Sequence, residues 1–273
     1  MDTETGEVRE RVELLKIPID ILQPEHLDDF VYGLLDKEKE QNIVLLSLWD
    51  LLFARRNSEY RAYIENAALV LPISKSIVKG LQFLSGKKAV RYMPFDFVLK
   101  LLAILEKREY SAYLLGGQKK ILMKTEKNIR QTFPKLHVVG RFSSYFKAHE
   151  EAALIEAIKK AAPSLILVGK GVRGKERWIA RNSDKLGGGL RLWCSDIFEV
   201  FAESKKHPSR AVFDKGLEWI GYCFEKPHKF FRIFPYIYYQ MLLAVNKLSN
   251  KKAEEKPAEP PPPQESENQE NAG

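Results

Sequence analysis

Three groups of residues in this chain have the types and spacing to do chemistry. The first is a glycine series, "LILVGKGVRGKERWI", in which Gly169 and Gly171 interrupt an apolar run and Lys175 and Glu176 open a helix-like stretch. Strand, glycine turn and helix start is an arrangement that holds phosphate, because free backbone N–H groups face an anion there. Gly169-Lys170-Gly171 lacks the third glycine of a dinucleotide fingerprint, and no GK[ST] loop is present, so a plain strand-to-helix turn is the competing reading. The second group is a set of carboxylates. Asp96 follows Pro94 and Phe95 in an apolar stretch, and Glu176 begins the helix after the glycine turn. Either is an acid/base candidate. The competing roles are an N-cap for Asp96 and a favourable charge at a helix N-terminus for Glu176. The third is a basic and aromatic region from Gly216 to Leu248, with Lys229 and Arg232 beside a run of aromatics. It suits a membrane interface or a terminal helix packed on the sheet.

Other chemistries find little support. His26, His137, His149, His207 and His228 share no ligand spacing with one another or with Cys194 and Cys223, so no metal site is expected. Nucleophile motifs around Ser or Cys are absent. Two cysteines make no disulfide framework, and a reducing, cytosolic setting is expected. The charged N-terminus is not a signal peptide, and no run of about 18 apolar residues is present to span a membrane.

The elements that must position these residues can be read from apolar runs. "NIVLLSL" (42–48), "AALVLPI" (67–73), "SAYLLGG" (111–117), "KLHVVG" (135–140), "SLILVG" (164–169) and "LRLWCSDIF" (190–198) read as buried strands. The last four recur at the interval of a βαβ step, with helix-patterned stretches between them. In "EEAALIEAIKKA" (150–161), Ala153, Ile155, Ala157 and Ile158 are expected on the buried side. The expected fold is α/β, a Rossmann-like, mostly parallel sheet with helices on both faces. Ligands in such sheets sit beyond the carboxyl ends of the strands, where Gly116, Gly117, Gly140, Gly169 and Gly171 are expected.

Residues 1–215 are expected to form that domain, 216–250 a helical basic and aromatic appendage, and 251–273 a disordered Pro- and Glu-rich tail. The whole chain carries +8, and the tail's three Lys against six Glu leave +11 on residues 1–250. That excess suits an acidic partner such as a nucleotide or anionic lipid. No zinc finger, RRM-like motif or recognition helix stands out, so no nucleic-acid partner is expected.

Taken in order, the pieces resemble the WecG/TagA/CpsF glycosyltransferase family. The resembling segments are Leu114-Leu115-Gly116-Gly117, Phe133 to Gly140 with Tyr145-Phe146, Leu165 to Ile179, and Gly216-Leu217-Glu218-Trp219 followed by Pro227 and Arg232. Arg91 and Asp96 match the family's "RV.G.Dl". The resemblance implies transfer of an N-acetylhexosamine from a UDP-sugar to a polyprenyl-diphosphate-linked acceptor, in surface polysaccharide synthesis. It implies a peripheral place at the inner face of the cytoplasmic membrane, no cofactor, and leaves room for a homo-oligomer. Nucleotide-sugar binding falls to Gly116, Gly117, Gly140, Gly169, Gly171, Arg91 and Lys175, and membrane or acceptor contact to Lys229 and Arg232. The departures lie at the chemistry. Ile73 stands where the family has its proposed catalytic Asp, Ser47 where it has Asn, and Ser195, Asp196 and Glu203 where it has Gly. Asp96 or Glu176 is then the carboxylate to replace the missing base. The alternative is a degenerate paralogue that binds a nucleotide or a partner enzyme without transfer. A third reading, a basic membrane-surface adaptor, needs only the C-terminal region.

Overall fold

A computed structural model describes residues 8–37, 39–216 and 233–254. Its centre is a six-stranded parallel sheet in the order β4-β3-β8-β7-β5-β6. The strands are β3 (Glu40–Leu46), β4 (Leu69–Pro72), β5 (Ser111–Leu115), β6 (His137–Phe142), β7 (Leu165–Gly169) and β8 (Gly189–Ser195). These are the six apolar runs of the sequence, each trimmed or shifted by a few residues. Strands buried on both faces read as near-continuous apolar runs, which is why they were visible.

Helices cover both faces. One face is packed by α1 (Leu27–Leu35), α5 (Pro94–Lys107), α6 (Lys119–Thr132) and α9 (Ile197–Phe201), against strand residues such as Ile43, Leu114, Leu167 and Leu192. The other is packed by α2 (Leu48–Ala54), α3 (Ser58–Glu65), α4 (Lys75–Ser85), α7 (Ala148–Ala161), α8 (Glu176–Asn182) and α11 (Ile233–Glu254), against Val44, Val70, Ile166 and Val168. Alternate strand residues serve alternate cores, as the pleat requires. The short helix α10 (Arg210–Lys215) follows α9. In α7 the buried stripe is Leu154 and Ile158 with Ile155 partly covered, whereas Ala153 and Ala157 are exposed, contrary to the expectation. Leu154 has far more apolar surface to hide than either alanine, and it sets the helix rotation.

The N-terminus holds an element that the apolar runs do not mark. β1 (Arg9–Leu14) and β2 (Ile17–Leu22) form a separate antiparallel hairpin. Leu15 and Lys16 turn it with φ of 54° and 66°, both in the left-handed region that a two-residue type I′ turn needs. Asp20 fastens the hairpin to the sheet. It is 1% exposed, accepts two 2.8 Å bonds from the Arg11 guanidinium, and accepts from the Val70 N–H of β4 at 2.7 Å. Arg11 also donates to the Ala67 carbonyl at 2.7 Å.

At the other end, α11 runs to Glu254, past the appendage boundary expected at residue 250, and carries Pro235 in its first turn. It seats Tyr239 against α4: the hydroxyl donates to the Ser76 carbonyl at 3.0 Å, directly over Gly80.

Replacing Asp20 by Ala strands part-buried guanidinium and amide donors. Urea unfolding is expected to show a loss of about 2–4 kcal/mol, and Asp20→Asn a smaller one.

Candidate active site

The site is built by the loops leaving the carboxyl ends of the sheet. β5 leads outward to β6, while its neighbour β7 leads the opposite way to β8. The connections diverge, and a crevice opens between the ends of β5 and β7. Backbone hydrogen bonds lace its floor. The Gly117 N–H donates to the Lys170 carbonyl at 2.7 Å, and the Lys170 N–H to the Ser195 carbonyl at 2.7 Å. Ser144 donates to the Gly117 carbonyl from its N–H at 3.0 Å and from its hydroxyl at 2.8 Å. The ends of β5, β7 and β8 and the loop after β6 are thereby one unit.

This lattice is why glycines stand here. Gly116 has φ of 119°, and a Cβ on it would lie 2.7 Å from the Gly169 carbonyl oxygen. A Cβ on Gly171 would lie 2.3 Å from the Ser144 hydroxyl. Gly140 is a correction: it lies inside β6, not at its end, and leaves room for the Tyr113 ring, 2.4 Å from where its Cβ would be. The structure thus brings Gly116, Gly117, Gly169 and Gly171 together and leaves Gly140 in the sheet as a packing residue. Helix α6 starts immediately after Gly116-Gly117-Gln118, so its N-terminal N–H groups open onto the crevice. Lys170, Arg173 and Lys175 are exposed around it.

Of the two carboxylates singled out in the sequence, Glu176 directly follows the glycine turn. It is the first residue of α8, following Lys175 at φ of 54°. Its side chain borders a cavity of about 10 Å³, room for roughly one water, with Tyr60, Tyr63, Trp193 and residues 43–45 of β3. Burial among these groups pushes the Glu176 carboxyl up to about 7, and the nearby Asp50 charge adds to the rise. Asp96 is exposed on the first turn of α5, where Met93 rather than Asp96 is the cap residue, and it borders no such enclosure.

Asp50 is the residue that the sequence reading passed over. It sits in the first turn of α2, just beyond β3, in a reciprocal capping box: the Ser47 N–H donates to its carboxylate at 3.0 Å, and the Ser47 hydroxyl accepts from the Asp50 N–H. Burial raises its carboxyl too, against the Ser47 hydrogen bonds and the Lys175 charge. The signal was "SLWD", a Ser three residues ahead of an Asp just after an apolar run. Two carboxyl groups thus approach each other from the ends of β3 and β7, with Trp193 of β8 between those strands.

Arg91 fastens the end of β4 to the segment that carries Phe213. Its Nε donates to the Ile73 carbonyl at 2.9 Å, its Nη1 donates to the Phe213 carbonyl, and its guanidinium lies 3.7 Å over the Phe213 ring. Lys75 adds a 2.8 Å bond to the Asp214 carbonyl. Together they hold α10 against the end of β4, at the position where the family pattern has its Asp. Lys229 and Arg232 lie outside the described residues.

Residues 12–254 match the sequence model of the glycosyl transferase WecG/TagA/CpsF family. The chain belongs to that family. Among its curated relatives is an N-acetylglucosaminyldiphosphoundecaprenol N-acetyl-beta-D-mannosaminyltransferase of Bacillus spizizenii, 22% identical over 180 residues, 66% of this chain and 69% of the relative. Membership gives meaning to two backbone outliers. Ser195 and Glu203 keep left-handed φ of 49° and 56° at positions where the family pattern has Gly.

The raised carboxyl of Glu176 gives a pH signature. Its folded-state value lies above the unfolded one, so the native state holds the proton more tightly. Stability should therefore fall as pH rises from 4.5 towards about 7 and level off beyond. Glu176→Gln is expected to remove that slope, gaining about 1–3 kcal/mol relative to wild type above neutrality in denaturant titrations at stepped pH.

Proposed function

We propose that the protein transfers an N-acetylhexosamine from a UDP-sugar to a polyprenyl-diphosphate-linked acceptor. The family membership and the mannosaminyltransferase relative support the reaction class. The observation that carries the mechanism is Glu176, a carboxyl raised to about 7 at the start of the helix that follows the glycine turn. A base in that range takes a proton from an attacking hydroxyl at neutral pH without being permanently charged. Ile73 cannot do so. In this reading the crevice at Gly116–Gly117 and Gly169–Gly171 receives the nucleotide diphosphate, with the start of α6, Lys170 and Lys175 supplying N–H groups and positive charge. The acceptor hydroxyl is deprotonated by Glu176 and attacks the anomeric carbon, and UDP leaves with its negative charge met by those lysines. Asp50, held on Ser47, keeps Glu176 basic through its own charge.

The proposed place is the inner face of the cytoplasmic membrane. No helix among the described residues is long and apolar enough to cross a bilayer. Helix α11, however, exposes Phe234, Ile237, Met241, Val245 and Leu248, a single stripe by helical spacing. Trp49 and Phe53 of α2 are exposed on the neighbouring element, and Arg56 lies over the Tyr238 ring at 5.2 Å. An apolar stripe edged by cations is what an anionic leaflet binds from one side.

A second reading has its own observation. Arg91 donates to the Ile73 and Phe213 carbonyls, and Ile73 stands where the family resemblance has Asp. This favours a protein that binds nucleotide without transfer. Calorimetry with UDP and a transfer assay with UDP-N-acetylmannosamine and a polyprenyl-diphosphate acceptor separate the two. The transferase reading expects UDP binding, turnover, and a loss of about 10²–10⁴-fold in kcat for Glu176→Gln with little change in KM. UDP binding without turnover establishes the paralogue, and no UDP binding rejects both. Flotation with anionic vesicles tests the surface: Met241→Asp combined with Val245→Asp should abolish association by the full chain, and unchanged flotation would remove α11 from the interface.

A further inference from the structure

Glu176 has two flanks. On one, the loop from β7 borders the glycine crevice towards β5; on the other, the sheet continues to β8 and β3, and α2 leaves the end of β3. Helix α2 divides its residues between two environments. Leu48, Leu51 and Leu52 enter the core, and Asp50 is held on Ser47 near Glu176. Trp49 and Phe53, four positions apart and so on one side of the helix, are 45% and 44% exposed. An exposed aromatic alone needs no explanation. What sets this pair apart is the charge beside it. The Arg177 guanidinium, from the residue after Glu176, stands over the Phe53 ring at 5.8 Å, and the Arg56 guanidinium over the ring of Tyr238 of α11 at 5.2 Å. Among the described residues neither guanidinium donates a hydrogen bond or pairs with a carboxylate. Glu59, whose ionisation Arg177 favours, gives both its oxygens to Arg181 at 2.6 and 3.1 Å. A guanidinium lying over a ring keeps its N–H groups for a ligand, since they point outward in its own plane.

We propose that Arg177 and Phe53 seat the acceptor: the guanidinium takes its diphosphate, and Phe53 with Trp49 takes the first units of its polyprenyl chain. The inference rests on the transferase reading for the class of acceptor. Such an acceptor presents, in order, an apolar chain, an anionic diphosphate and a sugar whose hydroxyl attacks. The surface presents the same order: the apolar stripe of α11 with Trp49 and Phe53, then the Arg177 guanidinium, then the Glu176 carboxyl. Arg177 adjoins Glu176 in the chain, so a diphosphate held there leaves its sugar beside the carboxyl. The planar fork of arginine suits the ligand, because it meets two phosphoryl oxygens at once. UDP leaves on the other flank, into the crevice between β5 and β7, so the two diphosphates use separate cations. Inorganic phosphate would gain the guanidinium and leave both rings in water, and an uncharged isoprenoid would gain only the rings.

The test uses the full chain and farnesyl diphosphate, a soluble short-chain probe of this chemistry, followed by tryptophan fluorescence and calorimetry with and without saturating UDP. The probe is expected to bind in the micromolar range and to keep its affinity when UDP is present. Pyrophosphate and farnesol, each half of the probe, should bind at least about 10-fold more weakly. Arg177→Gln should weaken farnesyl diphosphate about 10–100-fold, the effect of losing charge-assisted bonds, and Arg177→Lys should weaken it less. Phe53→Ser should weaken it about 3–30-fold and leave pyrophosphate binding unchanged. Both sites are at the surface, so the thermal midpoint is expected to hold in each variant. Flotation with phosphatidylglycerol vesicles separates an acceptor site from a general headgroup contact: Arg177→Gln should float as the wild type does. The proposal is overturned if farnesyl diphosphate does not bind, if UDP displaces it, if pyrophosphate matches it, if Arg177→Gln binds it as the wild type does, or if that variant loses flotation in parallel. Turnover enters none of these outcomes. A protein that binds the probe through Arg177 yet transfers nothing keeps this site and loses the transferase reading.

Discussion

The close approach of the Gly116 and Gly169 backbones governs the site. With a Cβ on Gly116 meeting the Gly169 carbonyl at 2.7 Å, the ends of β5 and β7 can come together only as they do. That proximity lets the Gly117 N–H reach the Lys170 carbonyl and the Lys170 N–H reach the Ser195 carbonyl. The crevice then inherits its depth from the sheet, and α6 and α8 inherit their starting points from the loops. Main-chain bonds of this kind are insensitive to which side chains the loops carry. They explain how so many substitutions can accumulate around an unchanged path.

The chemistry obeys a different constraint. A carboxyl group acts as a base near neutrality only if something opposes its ionisation, and burial opposes it most strongly. Glu176 meets that condition because α8 begins where β3, β8 and α3 close over its side chain. Asp50 reinforces it from the end of β3, held by three hydrogen bonds with Ser47. Helix-terminal charge, offered in the sequence as the plain alternative for Glu176, is also true of it, since it stands at the first position of α8. The two roles are compatible: the helix N-terminus steadies the ionised form while burial limits its excess.

What was legible in the sequence follows from the length scale of each signal. The six strands announced themselves because burial on both faces demands continuous apolar runs. The glycines announced the strand ends, except Gly140, where the same residue type served a ring packed on the sheet. The β1–β2 hairpin was illegible because its turn, Leu15-Lys16, has the backbone of an Asn-Gly turn without its residues, and because "RERVEL" alternates charge with only two apolar side chains. Asp50 was illegible for a subtler reason. A capping box is a local pattern, and nothing local tells that its carboxyl will face Glu176 across two strands. Arg91 matched its motif, yet its partners, the Ile73 and Phe213 carbonyls, are set by tertiary packing alone.

Ser195 and Glu203 show how firmly these loops hold their backbone. A left-handed residue other than Gly costs about 1–2 kcal/mol. It persists only where the surroundings fix the backbone. Ser195 is fixed because its carbonyl accepts from Lys170, and Glu203 because its N–H donates to the Val200 carbonyl at the end of α9. Ile73 illustrates the complementary case. Its N–H donates to the Leu46 carbonyl and its carbonyl accepts from Arg91, so the backbone there is held whatever side chain it carries. A position fixed by its main chain keeps its path whatever its side chain. The carboxyls that burial raises at this end of the sheet, Glu176 and Asp50, owe it to the packing of α3, β3 and β8 rather than to the loop path.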